Sequence, residues 1–111
     1  VMIETPQAVE NADAIAAVPG IDSLMIGTSE LTAEMGVPGQ IGHERVKAAY
    51  AAVIGACQKH GKIAGMGGVY DEQNAPVYIG MGVRLVLAGS DHALLMPALK
   101  GRSGFLRSIK V

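Results

Sequence analysis

Short apolar runs alternate along this chain with stretches whose apolar residues recur every three or four positions. Residues 1–3, 23–26, 63–66 and 83–88 form the runs, and they lack the polar alternation of a half-exposed strand. Between them lie helical patterns. In the stretch 6–18, Val9, Ala12, Ile15 and Ala16 share one face, Thr5 stands where a cap belongs, Pro6 suits the first helical position, and Pro19-Gly20 ends the segment. The strongest pattern covers 43–60, where Val46, Tyr50, Val53, Ile54 and Cys57 make one stripe and Gly61 follows as a left-handed cap. A shorter helix is expected at 74–80, with Pro76 tolerated in its first turn, and a last one at 92–99 that continues weakly through Gly101 and Gly104. Residues 27–42 read as a loop with a helical turn near 31–35.

Strand then helix, four times over, is the pattern of a parallel sheet covered on both faces, so the class is α/β. Each unit takes about 28 residues, close to the share of one unit in a (β/α)8 barrel of roughly 250 residues. The count fits half of a (β/α)8 TIM barrel, four parallel βα units in one domain over 1–111. A doubly wound open sheet is the alternative, but its G-x-G-x-x-G turn after the first strand is missing: Glu4-Thr5-Pro6 stands there. Val1-Met2-Ile3 already has the pattern of a buried strand, without an initiator methionine or a polar run-in, so the chain reads as a piece of a longer protein.

Composition narrows the partners. Of the 111 residues, 9 are basic and 10 acidic, for a net charge of −1, and there are one Phe, three Tyr and no Trp. That leaves neither the basic excess nor the aromatic platform by which proteins hold nucleic acid. The apolar runs fall far short of the roughly 20 residues that span a bilayer, so no membrane association is expected. A lone cysteine, Cys57, forms no internal disulfide, and its place on the helical stripe makes it core rather than nucleophile. A cytoplasmic location is expected.

Right-handed crossovers gather the C-terminal ends of parallel strands on one rim, where ligand chemistry collects. The residues just past the strands are Glu4, Ser29 and Glu30, Gly65 to Gly68, and Gly89 to Asp91. Glu4 and Glu30 follow the first two strands, which as neighbours lie about 4.8 Å apart. Two carboxylates with no basic side chain beside them repel unless a cation joins them, and a hard divalent ion such as Mg²⁺ or Mn²⁺ suits one or two carboxylates plus water and substrate oxygens. The alternative is a pair of partly solvated rim residues near helix N-termini.

The stretch IETPQAVENADAIAAVPGIDSLMIGTSELTAEMG resembles the HpcH/HpaI aldolase and citrate lyase family, whose metal-dependent aldolases close one strand with a glutamate and the next with a G-P-x-D-L-S loop. The likeness continues through HGKIAGMGGV and RLVLAGSDHALL and covers nearly the whole chain. It implies a carbon–carbon lyase that cleaves a 4-hydroxy-2-oxo acid to pyruvate and an aldehyde, with enolate formation assisted by a divalent cation (Mg²⁺, Mn²⁺ or Co²⁺). On that resemblance Glu4 and Glu30 hold the metal, the Ser29 and Glu30 amides receive the substrate carboxylate, and Gly67, within a roomy Gly65–Gly68 segment, lines the aldehyde side. It also implies a homo-oligomer with a C-terminal helix packed on a neighbour, and it places the catalytic histidine and the substrate-binding arginine in the earlier half of the barrel. This chain departs from the family pattern: Glu30 replaces aspartate, Thr28 replaces proline and should loosen the loop, and Met2 stands where some members carry glutamine.

The remaining candidates have plainer readings. His43, His60 and His92 sit at helix ends and read as structural; Ser90 or Asp91 reads as a helix cap. Asp13, Glu34 and Glu44 read as solvated, Arg84 as the partner of a carboxylate or an interface, and the methionines as gap-filling core. Two rival functions stand beside the aldolase: a non-catalytic half-barrel that associates through its open sheet edges, and a metal-free barrel that binds phosphate on its glycine loops.

Overall fold

The computed structural model describes residues 1–110. Four strands, β1 (Met2–Ile3), β2 (Ser23–Gly27), β3 (Ile63–Gly67) and β4 (Leu85–Val86), pair in parallel in the order β1-β2-β3-β4. Strand order that follows chain order without reversal is an arc of a barrel; a doubly wound sheet reverses its order at a switch point. The described residues also form six helices: α1 (Pro6–Glu10), α2 (Ala12–Ala16), α3 (Thr28–Glu34), α4 (Glu44–Lys59), α5 (Ala75–Met81) and α6 (Asp91–Ser108).

The core lies between one face of the sheet and α4. Ile3, Leu24, Ile26, Ala64 and Met66 alternate along the first three strands and are buried, as is the α4 stripe of Val46, Tyr50, Val53, Ile54 and Cys57. The opposite sheet face carries Met2, Ile63 and Leu85, all exposed. Expected cover on both faces is therefore seen on one only, because alternate strand residues point to opposite sides and the described helices pack on a single side. In closed barrels that inner face packs against other strands.

Capping chemistry sets the helix boundaries. Thr5 Oγ1 accepts the Ala8 amide at 3.1 Å with Pro6 beside it, His43 Nδ1 accepts the Arg45 amide at 3.1 Å, and Ser90 Oγ accepts the Ala93 amide at 3.2 Å. Gly61 takes φ +64° just past α4, a conformation that costs other residues about 1–2 kcal/mol.

Several elements depart from the sequence reading. The helix expected over 6–18 breaks at Asn11, whose side-chain Nδ2 donates to the Gln7 carbonyl at 2.9 Å; asparagine competes with the helical ladder in this way. The helical turn expected near 31–35 begins earlier, at Thr28, directly off β2. β4 pairs over two residues rather than six, and α6 runs 18 residues through Pro97 with none buried. Asp13 is not simply solvated: it accepts from Lys59 Nζ at 2.9 Å and meets His60 Nε2 at 3.0 Å, tying α2 to the end of α4. The Lys59 bond first, then that to His60, holds its carboxyl below the usual value. Glu44 likewise pairs with Lys47 at 2.8 Å. Arg84 finds carbonyls rather than a carboxylate, donating Nη1 to Ile79 O in the last turn of α5 at 2.9 Å and to Val83 O just beyond it at 2.7 Å.

Leu24 is fully buried beneath α4, so Leu24→Ala should lower unfolding free energy by about 2–5 kcal/mol in urea titrations followed by circular dichroism.

Candidate active site

The register of the parallel strands brings three sequence-distant residues to one row. Met2 pairs with Met25 and Ile3 with Ile26, so Glu4 is level with Gly27, and Gly27 pairs directly with Gly67. All three lie at the C-terminal ends of their strands. Thr5 caps α1 immediately after Glu4, which turns the chain outward and leaves Glu4 at the rim.

Gly27 explains how the two carboxylates share the row. A Cβ there would stand 2.8 Å from Glu4 Oε1 and 3.2 Å from Glu30 Oε2, so one point lies within 3.2 Å of an oxygen from each. It would also stand 2.8 Å from Glu4 Cγ, closer than side chains tolerate, so glycine is required for the Glu4 side chain to lie across β2. Glu30 is the third residue of α3, whose N-terminus has no side-chain cap. The Ser29 and Glu30 amides thus belong to the first turn, where helical N–H groups have no intrahelical acceptor and favour an anion.

The corner that carries them is held from behind. Thr28 is fully buried; its Oγ1 donates to the Gly67 carbonyl at 2.7 Å and lies 2.7 Å from the Tyr50 hydroxyl. The expectation that threonine in place of proline loosens this loop is therefore overturned: a buried hydroxyl must find partners, and here they join β2, β3 and α4. Tyr50 stacks on Tyr78 with ring centroids 3.8 Å apart, and Tyr78 donates its hydroxyl to the Ile41 carbonyl. Burial first, despite the Thr28 bond, pushes the Tyr50 phenol up to about 12. Thr32 adds a stitch, donating to Ser29 O at 2.9 Å and accepting from the Gly39 amide at 3.3 Å.

The glycine segment is less roomy than its composition suggests. The Met25 side chain comes within 2.9 Å of where a Gly65 Cβ would be, and Leu87 within 3.3 Å at Gly67. Gly68, at φ +80°, backs onto Ser29, with 2.9 Å from its would-be Cβ to Ser29 Oγ. Tyr50 was legible as core, whereas nothing local to it in sequence marks its hydroxyl as the partner of Thr28. Among the described residues no group of three or more His, Cys, Asp or Glu side chains gathers, so the acidic site is a pair. The three histidines lie elsewhere: His43 and His60 cap α4, and His92 is exposed in α6.

This arrangement can be set beside known proteins. The HpcH/HpaI aldolase/citrate lyase family model matches residues 1–98. The chain belongs to that family. It is 36% identical to the 4-hydroxy-4-methyl-2-oxoglutarate aldolase of Hapsidospora irregularis, over 100% of this chain and 42% of that protein. It is 39% identical to the hydroxypyruvate/pyruvate aldolase of Pseudomonas aeruginosa, over 94% of this chain and 38% of that one. Among solved structures, an HpcH/HpaI aldolase/citrate lyase family protein from Burkholderia cenocepacia superposes with a TM-score of 0.85 at 32% identity, over 97% of this chain and 42% of its own. The HpcH/HpaI aldolase of Desulfitobacterium hafniense gives 0.81 at 28%, with 98% and 42% covered. The chain thus spans about two-fifths of the length of these family members. No helix among the described residues is long and apolar enough to cross a membrane.

The raised Tyr50 phenol has a consequence for this HpcH/HpaI fold. Below pH 10 the group is neutral folded or unfolded, and between 10.0 and about 12 the unfolded chain releases the proton while the fold retains it. Stability should therefore fall across that window, and Tyr50→Phe should flatten the fall in denaturant titrations taken at successive pH values.

Proposed function

We propose that this chain is the C-terminal half of a (β/α)8 aldolase barrel, in which Glu4 and Glu30 hold a divalent cation and the Ser29 and Glu30 amides receive the carboxylate of a 2-oxo acid. The observation that carries this reading is the shared cradle over Gly27, where an oxygen of each carboxylate comes within 3.2 Å of one point. Two carboxylates converging with no third acidic or imidazole ligand fit an ion that completes its shell with water and substrate oxygens, as Mg²⁺ and Mn²⁺ do. When bound, such an ion supplies Lewis acidity toward the keto oxygen of the substrate.

The proposed reaction is reversible cleavage of a 4-hydroxy-2-oxo acid between C3 and C4, giving pyruvate and an aldehyde. The bonding pair withdraws toward C3 and the neighbouring keto group, the C4 hydroxyl gives up its proton as the aldehyde forms, and C3 takes up a proton to become the methyl group of pyruvate. This chain's share is binding and orientation. The first turn of α3 faces the substrate carboxylate with N–H groups, a favourable end for an anion. Gly27 and Gly67, side by side on β2 and β3, let the carbon skeleton approach the backbone, and Leu87 forms an apolar wall beside Gly67. The family relationship supports the aldolase class, since the relatives are named for aldolase reactions on oxo acids.

Self-association belongs to the same proposal. α6 exposes Leu94, Leu95, Leu99, Phe105 and Leu106, and the molecule measures 65 Å along its longest axis against 29 and 21 Å across the others. A second copy covering α6 would remove that apolar surface from water.

In the full-length protein, Mn²⁺ titrated by electron paramagnetic resonance should bind the wild type, and Glu4→Gln should abolish both binding and pyruvate release; activity retained by Glu4→Gln would sink the reading. Sedimentation should show an oligomer that Leu95→Asp together with Leu99→Asp converts to monomer without unfolding the barrel, while an unaltered oligomer would remove α6 from the interface.

A further inference from the structure

We infer that Tyr50 and Thr28 are positioning residues: a directional hydrogen-bond relay from the Tyr50 hydroxyl through Thr28 to the Gly67 carbonyl fixes the corner that presents Ser29 and Glu30 to Glu4. The inference rests on the reading of Glu4 and Glu30 as the working pair.

The direction follows from donor counting. The Gly67 carbonyl can only accept, so the single hydroxyl hydrogen of Thr28 is spent on it at 2.7 Å. The contact between Thr28 Oγ1 and Tyr50 Oη, also 2.7 Å, must then be made by the tyrosine hydrogen. Both residues are 0% exposed, so water does not compete for either bond. Buried hydroxyl chains of this kind polarise one another and are costly to break at one link.

The geometry transmits that order to the site. Tyr50 sits in the middle of the 16-residue α4, its ring stacked on Tyr78 at 3.8 Å, so the donor end of the relay is anchored to the rigid layer. Thr28 opens α3, and the two residues after it are Ser29 and Glu30. At the acceptor end, Gly67 is level with Gly27, over which an oxygen of each carboxylate lies, and Gly68 packs against the Ser29 amide with 3.3 Å from its would-be Cβ to that nitrogen. Removing the relay unties the first turn of α3 from the tip of β3 and from α4, and with it the placing of Glu30 relative to Glu4. A purely structural pair of buried hydroxyls would cost stability when removed and leave the carboxylates' cooperation intact.

The test compares Thr28→Val and Tyr50→Phe with Thr28→Ser, which keeps the hydroxyl, and with Cys57→Ala, a buried change near the far end of α4. In the full-length protein with Mn²⁺ as probe, Thr28→Val and Tyr50→Phe should weaken binding by about tenfold or more, as removal of a ligand's outer partner does, while Thr28→Ser stays within about twofold. Cys57→Ala should lower the melting temperature and leave Mn²⁺ affinity alone. Unaltered affinity in Thr28→Val and Tyr50→Phe overturns the relay. Should the wild type bind no Mn²⁺, the metal reading fails by itself and amide hydrogen exchange over 28–31 decides: faster exchange in the relay variants than in Cys57→Ala supports the relay, and equal exchange overturns it.

Discussion

Parallel register is the constraint on which the site depends. Because β1, β2 and β3 run the same way and pair residue for residue, the ends of three strands separated by 23 and 40 positions in sequence arrive side by side. Glu4, Gly27 and Gly67 form a row only in that register. A slip of one residue would move every side chain to the opposite face of the sheet and take Glu4 out of reach of Glu30. The register is held by burial: Ile3, Leu24, Ile26, Ala64 and Met66 all belong to the face under α4, and none can turn outward without exposing apolar surface.

Glycine does the second part of the work. Carboxylates repel, and a side chain on the strand between them would keep these two apart by bulk as well. Gly27 removes the bulk, so Glu4 can lie across β2 and share with Glu30 the space above it. Two carboxylates on one row, with no basic side chain in ion-pair contact with either among the described residues, are more informative together than either is alone.

Much of this was readable from residue pattern and much was not, for identifiable reasons. The buried strands, the α4 stripe and the caps at Thr5, Gly61 and Ser90 are local signals, and the structure has them where the residues indicated. β4 and α6 were misjudged in length because their boundaries depend on neighbours: β4 pairs on one side only, and α6 has no covering partner among the described residues to limit it. The residue pattern put the main helix at 92–99 with a weak continuation through Gly101 and Gly104, whereas the helix capped by Ser90 runs unbroken through Pro97 and both glycines to Ser108. That Glu4 and Glu30 lie over neighbouring strand ends could be anticipated from strand order, whereas the filling of the Gly65 and Gly67 spaces by Met25 and Leu87 could not, since it depends on side chains reaching across to neighbouring strands.

Thr28 shows how a departure from the family pattern is absorbed. Proline at the head of α3 would fix its own φ and leave one amide fewer to satisfy, stiffening the corner through the backbone. Threonine gives up that restriction and replaces it with two side-chain bonds, each anchored on a different element: Gly67 at the tip of β3 and Tyr50 on α4. The second departure lies two residues further on, where Glu30 stands in place of aspartate and adds a methylene. An extra rotatable bond costs conformational freedom when ordered, and a longer arm from an unchanged base would carry its carboxylate past the cradle. Its Oε2 nevertheless stands 3.2 Å from the Gly27 Cβ position, the same point that Glu4 Oε1 approaches to 2.8 Å. The ties of Thr28 to β3 and α4 fix where that longer arm begins.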